Sequence, residues 1–344
     1  MKKISLSLVL ILMLAFSSAE FAQLDRSTAK VGTTVAQFLK IGAGARAIGM
    51  GGAYTAISND IYGVYWNPAG VANSPKNGQA AFNHVNWLAD ISYDFSAASL
   101  NVEEVGTFFA TMISLGVPEE KVRTVEYPEG DGRMWDAKSL AIGVGFARKL
   151  TDKFSVGIQV KFIRESIWNN SASGMAVDFG TYYVSPFNDM IIAASISNFG
   201  TKMQLDGRDI LFNYDPGNDP NSGANNVLSK YEMGKYDLPL TFRLGLGMDV
   251  YKDRYFRTTV ALDATHPNDN TEYVNTGVEV AYDEMFMFRL GYKSLFLRDS
   301  EQGLTVGGGL KYGITDQLDL MVNYGWADYG RLKNVQFFDL GITF

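Results

Sequence analysis

Leu140-Ala141-Ile142-Gly143-Val144-Gly145-Phe146 runs through Thr151-Asp152-Lys153 into Phe154-Ser155-Val156-Gly157-Ile158-Gln159-Val160-Lys161-Phe162. Large apolar residues hold every second position, with a small or polar residue between them. Side chains of a strand alternate between two faces, so this period of two describes strands that are apolar on one side only. The short polar stretch between the runs makes them an antiparallel hairpin. The pattern recurs in Met175 to Val184, Phe242 to Val250, Val274 to Tyr282, Phe286 to Tyr292, Leu304 to Tyr312 and Leu318 to Trp326. The opposite face of these runs carries Asp178, Arg243, Asp263, Glu279, Arg289, Lys293, Lys311 and Asp319.

A soluble sandwich alternates too, and the connections separate the two cases. Tight turns at Thr151-Asp152-Lys153, Asn188-Asp189, Lys252-Asp253-Arg254, Asp283-Glu284 and Thr315-Asp316 take turns with longer links, among them Val117 to Trp135 and Gly200 to Asp237. Short turns on one side and long polar loops on the other describe an outer-membrane barrel. Phe154, Tyr183, Tyr251, Tyr255, Tyr282, Phe286 and Tyr312 flank the tight turns on the apolar face, as an interfacial girdle does. The last strand carries Phe338, Leu340, Ile342 and the terminal Phe344 on one face, resembling the C-terminal signal of bacterial outer-membrane barrels. The expectation is an all-β, transmembrane antiparallel barrel of about fourteen strands over residues 79–344, with twelve as the competing count and both ends on the periplasmic side.

Export agrees with this. Met1-Lys2-Lys3 precedes the apolar run Ile4 to Phe16, and Ser17-Ser18-Ala19 supplies small residues for cleavage, with Ala22 as an alternative point. Residues 1–22 read as a signal peptide, because the apolar run is too short for a helix that needs about 20 residues to span a bilayer.

Composition narrows the function. With no cysteine and two histidines, thiol nucleophiles, disulfides and cysteine-ligated metals are excluded. A net charge of -7 without basic clusters disfavours nucleic acid. His84 and His266 lie on separate strands, His266-Pro267 reads as the start of a loop, and no catalytic signature such as HExxH or GxSxG occurs, so an enzyme is not expected. Asp206, Asp209, Asp215, Asn218 and Asp219 fit no calcium-loop spacing and read as a solvated loop, so neither metal nor cofactor is expected.

Residues 23–78 do not alternate, and they read as a plug folded back into the lumen. Gly42, Gly44 and Ala47 match the dinucleotide pattern GxGxxA, yet no βαβ unit surrounds them. Gly42, Gly44, Gly49, Gly51 and Gly52, with Arg46 among them, read instead as glycines that let backbone pass close to a barrel wall. Asn67-Pro68-Ala69-Gly70 reads as an N-cap and first turn of a short helix.

The stretch Phe38 to Ala72, with GARAIGMGGAYTA and VYWNPAG intact, resembles the N-terminal signature of the PorV/PorQ family, outer-membrane proteins related to the FadL-type transporters. Asn59-Asp60 departs mildly from the acidic pair that members often carry there. The resemblance implies a fourteen-stranded barrel in the outer membrane with an N-terminal plug. It also implies a non-enzymatic role in type IX secretion and surface attachment, with translocon or attachment-complex subunits and cargo C-terminal domains as partners. The alternative it leaves open is FadL-like transport of a hydrophobic small molecule, for which Leu205, Ile210, Leu211, Phe212 and Tyr214 would line an entry pocket in the second long loop. A passive pore is a third class, which a plug would close.

Overall fold

The computed structural model describes residues 30–215 and 227–344. The signal peptide and its cleavage points lie outside the described residues. Fourteen strands form the wall: β1 Gly78–Asn86, β2 Ser92–Val102, β3 Gly106–Lys121, β4 Met134–Thr151, β5 Phe154–Ile167, β6 Asn170–Val184 and β7 Ile191–Gly200, then β8 Thr241–Lys252, β9 Phe256–Pro267, β10 Tyr273–Tyr282, β11 Phe286–Leu295, β12 Leu304–Gly313, β13 Asp319–Asp328 and β14 Asn334–Thr343. Each strand pairs antiparallel with the next in sequence, and β14 returns to pair with β1, Phe82 opposite Leu340. The ring is closed, so no strand keeps the open edge that lipid could not satisfy.

Alternation fixes which side of each strand meets what. Outward positions are large and exposed, as at Val144, Phe288 and Leu290. Inward positions are chiefly glycine, alanine or polar, and a group of large ones, Tyr93, Phe95, Phe109, Ile113, Ile163 and Phe337, is buried toward the interior. Tyr183, Tyr251, Tyr255, Tyr282, Phe286 and Tyr312 are exposed on the outer face beside the tight turns. The core lies inside the ring, between the wall and the residues it encloses, and the apolar outer face is what sets this barrel apart from a soluble one.

Two details differ from the sequence reading. Val117 to Trp135 is loop only in part, since β3 and β4 stay paired out to Lys121 opposite Met134 and the loop is confined to residues 122–133. Pro118, which reads as a loop residue, sits where the register shifts between Val117 and Glu120, one of the few places a strand tolerates proline. His266 and Pro267 close β9 instead of opening a loop, and His266 Nδ1 lies 2.8 Å from Glu272.

Residues 34–77 occupy the interior. They form 3-10 turns at Gln37–Lys40 and Gly70–Asn73 and two short helices, α1 Ala45–Gly49 and α2 Gly63–Trp66. Helices of four or five residues do not hold alone in water, so the wall holds them. The segment begins on the loop side, where the Val35 amide donates to the Asp237 carbonyl at 3.0 Å. It leaves on the turn side, where Lys76 Nζ donates to the Asp316 carbonyl at 3.3 Å.

Candidate functional site

Close approach comes first, because it places every other group. A Cβ added to Gly291 of β11 would lie 2.2 Å from the amide nitrogen of Gly51, and Gly51 itself has φ +69°. Only glycine on both sides lets the backbone of the segment lie on the wall there. A Cβ on Gly180 of β6 would lie 2.0 Å from Asn67 Oδ1, which seats the Asn67-Pro68 turn against β6 in the same way.

With the backbones in contact, buried polar groups must find partners within the lumen. Asn67 Nδ2 donates to the carbonyls of Thr55 and Thr181, both at 3.0 Å, and its Oδ1 accepts from the Ala69 amide at 3.1 Å. The side chain thus caps its own turn and ties it to the wall. Gly42 donates its amide to the Tyr65 hydroxyl at 3.1 Å, and that hydroxyl donates to the Leu39 carbonyl at 2.7 Å. Gly49 faces Gly307 of β12, and Gly52 lies against Trp66 and Asn275. The fingerprint Gly42, Gly44, Ala47 does open a helix, but the Ala45 amide at its start donates to Asp339 Oδ2 at 2.6 Å. A wall carboxylate holds the position a phosphate would take.

The strongest electrostatic feature centres on Glu279. Its Oε2 accepts from Arg46 Nε at 3.0 Å and Arg289 Nε at 2.7 Å, and its Oε1 accepts from Arg46 Nη2 at 3.0 Å and Arg257 Nη1 at 3.1 Å. Three guanidiniums, one from the segment and two from the wall, converge on one carboxylate. Arg46 also reaches Asp60 Oδ2 at 3.0 Å, and Asp60 accepts from the Tyr54 hydroxyl. Arg289 donates to Asn323 Oδ1 at 2.9 Å and Arg257 to Glu284 at 2.7 Å. Charge-assisted bonds of this kind are about twice as strong as neutral ones, and the low dielectric of a filled lumen sharpens them.

Asp263 of β9 accepts from the amides of Tyr54 and Thr55 at 3.0 and 2.9 Å and from the Thr55 hydroxyl at 2.6 Å. Asp178 pairs with Lys161 at 2.7 Å and accepts from the Asn198 amide at 2.7 Å, pinning a bulge between β6 and β7. Arg243 donates to Ser197 Oγ at 3.1 Å and lies 5.4 Å from the centroid of the Trp66 ring. Lys311 is set apart: it lies at the turn-side rim, 3.2 Å from Asp319 and partly exposed. Tyr62, between β1 and β14, places its hydroxyl 3.3 and 3.2 Å from the carbonyl oxygens of Phe82 and Leu340.

On the loop side Asp269 accepts from Lys40 and Thr34, both at 2.7 Å, and from Gln37 at 3.0 Å. Burial would raise this carboxyl, but the bonds from Lys40, Gln37 and Thr34 outweigh it and hold the group below the usual aspartate value. The candidate loop pocket does not converge: Leu205 packs on the core, Ile210 is buried, Leu211 and Tyr214 are exposed, and Phe212 stacks on Tyr231 at 4.7 Å. A lumen cavity lined by Leu39, Tyr65, Phe95, Lys161, Asp178 and Arg243 has a volume of about 10 Å³, close to the room one water needs. Asp206 pairs with Lys230 at 3.1 Å and Asp209 accepts from Asn169 at 3.1 Å, while Asn218 and Asp219 lie outside the described residues.

Sequence reasoning passed over Asp339, Asn83, Tyr54 and Arg257. Asp339 was readable, since it alternates with Phe338 and Leu340 and so must face inward. Tyr54 and Asp60 had no periodicity to place them.

A family model described as type IX secretion system protein PorV matches residues 24–268. No curated protein sequence matches the chain. Among solved structures, the Ralstonia pickettii toluene transporter TbuX is similar at 11% identity and TM-score 0.54, covering 88% of this chain and 97% of that one. The Pseudomonas putida toluene transporter TodX aligns at 12% identity and TM-score 0.54 over 88% and 97%. A Pseudomonas aeruginosa FadL homologue aligns at 12% and 0.52 over 86% and 96%. At such identities the likeness concerns the fold alone.

Proposed function

Since the chain belongs to the PorV family of type IX secretion system proteins, we propose that it serves that system from the outer membrane as a non-enzymatic accessory barrel, assisting export and surface attachment of cargo. It is an outer-membrane protein: a closed fourteen-strand barrel with an apolar belt has no other stable setting. The observation that carries the secretion reading is the family match, which spans the N-terminal segment and the barrel through β9.

In this reading residues 23–78 are a plug, and the plug motif Gly42, Gly44, Arg46, Gly49, Gly51, Gly52 and Asn67 to Gly70 serves to seat it. The buried wall groups Arg243, Asp263, Glu279 and Asp339 act as its sockets, and Asp178 and Arg289 brace the wall around them. The barrel is then a scaffold whose business lies on its surfaces, and its partners are translocon or attachment-complex subunits and cargo C-terminal domains. Removing Gly200 to Asp237 from the protein in its native cell tests this. The expected outcome is retained cargo with the barrel still assembled; undiminished surface cargo would overturn it.

Fold likeness to hydrophobic-compound transporters favours one second reading, passage of a hydrophobic small molecule. The filled lumen speaks against it, since a cavity of about 10 Å³ holds no such ligand. Mass spectrometry of lipid extracted from the purified protein separates the two: a stoichiometric fatty acid or hydrocarbon supports transport, and none supports the scaffold.

A further inference from the structure

The apolar belt has an edge on the loop side, and on β4, β5 and β6 that edge is charged. Outward residues of these strands fall into cross-strand rows: Val144, Val160, Val177; then Ile142, Phe162, Met175; then Leu140, Arg164, Ser173; and last Lys138, Ser166, Ser171. Val144, Val160, Ile142, Phe162 and Met175 are exposed on the outer face. One row further out, a guanidinium and a hydroxyl take their place.

Strand geometry gives the height of that row. Phe154 belongs to the turn-side girdle, and Arg164 lies ten residues further along β5. At a rise of about 3.3 Å per residue and a tilt of about 40°, the climb is about 25 Å, the full height of an apolar belt. Arg164 therefore stands at headgroup level on the loop side, and its long side chain keeps the charge clear of the acyl region.

Among the described residues nothing neutralises this cation. Arg164 is exposed and its side chain makes no ion pair or hydrogen bond with them. Its sequence neighbour Glu165 faces the lumen, where it accepts from the Ala36 amide at 3.0 Å. Lys138, diagonally across from Arg164, pairs with Asp136 at 2.5 Å and has further donors to offer. Ser173 stands directly opposite Arg164. Donors thus crown an apolar strip, and a molecule with an anionic head and acyl tails divides in the same way. Phosphate suits the head best, because its oxygens accept from the guanidinium fork and from a neighbouring ammonium or hydroxyl at once.

We propose that the β4–β5–β6 face binds one phosphorylated lipid of the outer leaflet, its phosphate held by Arg164 with Lys138 and Ser173 and its acyl chains laid on Ile142, Phe162 and Met175. Basic groups at headgroup level recognise lipid heads by this charge complementarity. The site needs only the outer-membrane setting, so it stands apart from the secretion reading. A free phosphate ion would share the head contacts and leave the apolar strip unused.

The purified protein in mild detergent is titrated with phosphorylated lipid A and followed by native mass spectrometry. One lipid per barrel is expected, bound at least about tenfold more weakly by Arg164→Gln. Arg148→Gln is the control: it removes a charge from the same strand group at the turn side, where Arg148 Nη2 donates to the Glu104 carbonyl, and should bind like the unaltered protein. Lipid A stripped of its phosphates should bind as weakly as the Arg164→Gln protein binds the intact lipid, and excess inorganic phosphate should displace nothing. Heat-modified gel mobility shows that the variants still form barrels, and if Arg164→Gln does not, Ser173→Phe takes its place by covering the opposite position. No adduct, undiminished binding by Arg164→Gln, an equal loss with Arg148→Gln, equal binding of the stripped lipid, or displacement by inorganic phosphate overturns the proposal.

Discussion

Replacing Glu279 by glutamine tests what holds the segment in the lumen. The substitution keeps size and shape and removes one negative charge, leaving Arg46, Arg257 and Arg289 around a neutral amide. Four bonds of 2.7 to 3.1 Å are affected. They act as a unit, so their values do not add. Arg257 keeps Glu284 and Arg289 keeps Asn323, so the loss falls on Arg46, whose other acceptor, Asp60, belongs to the segment itself. Breaking a buried ion pair from one side costs about 3–5 kcal/mol. If the segment must leave the wall for interior groups to meet solvent, the open population rises by the same free energy, about a hundredfold to a few thousandfold. Ala47→Cys, fully buried in α1, reports on that opening through its rate of labelling by a water-soluble maleimide. Glu279→Gln in this background should speed labelling by that factor with the barrel intact. An increase below about threefold, less than ~0.7 kcal/mol, would falsify the assignment of Glu279 as the main socket.

Gly291→Ala drives a methyl into the Gly51 backbone and should destabilise seating by about 1–3 kcal/mol, seen as faster labelling at position 47 without loss of heat-modified mobility. Asn67→Ala strands the Thr55 and Thr181 carbonyls and should lower the thermal midpoint in detergent by an amount matching about 1–3 kcal/mol. The Asp269 clasp has a lowered carboxyl value, so its contribution is complete above the usual aspartate range and fades only as pH falls through the lower folded value. Protease cleavage near Thr33 should therefore be unchanged from pH 7 to about pH 4 and rise below that; a rise between pH 7 and 5 would contradict the sign.

The wall was legible because lipid imposes a rule on every second residue, and fourteen strands repeat it. Leu140 to Phe162 alone sets the faces, and the turn at Thr151-Asp152-Lys153 sets the pairing. The segment was legible only as glycine-rich and non-alternating. Whether Arg46 meets Glu279 or another carboxylate depends on contacts 233 residues apart in sequence, which no local pattern encodes. The placement of the loop candidates was not legible for a related reason: Ile210 and Tyr214 are both apolar in sequence, yet one is buried and the other exposed. The continuation of β3 through Pro118 was not legible, because a proline in a strand is rare except at a bulge, and bulges leave little local signal.

Tyr62 spans the junction of β1 and β14, touching a carbonyl oxygen on each, and the neighbouring pair Asn83 and Asp339 holds the Ala45 amide across the same junction. That junction joins the first strand of the ring to the last one made, so it can shut only after the carboxyl terminus arrives. The residues preceding β1 are by then already available. The interior segment can thus act as a mandrel during biogenesis: the sheet curls round it, and the two ends are brought into register by a tyrosine waiting at the seam.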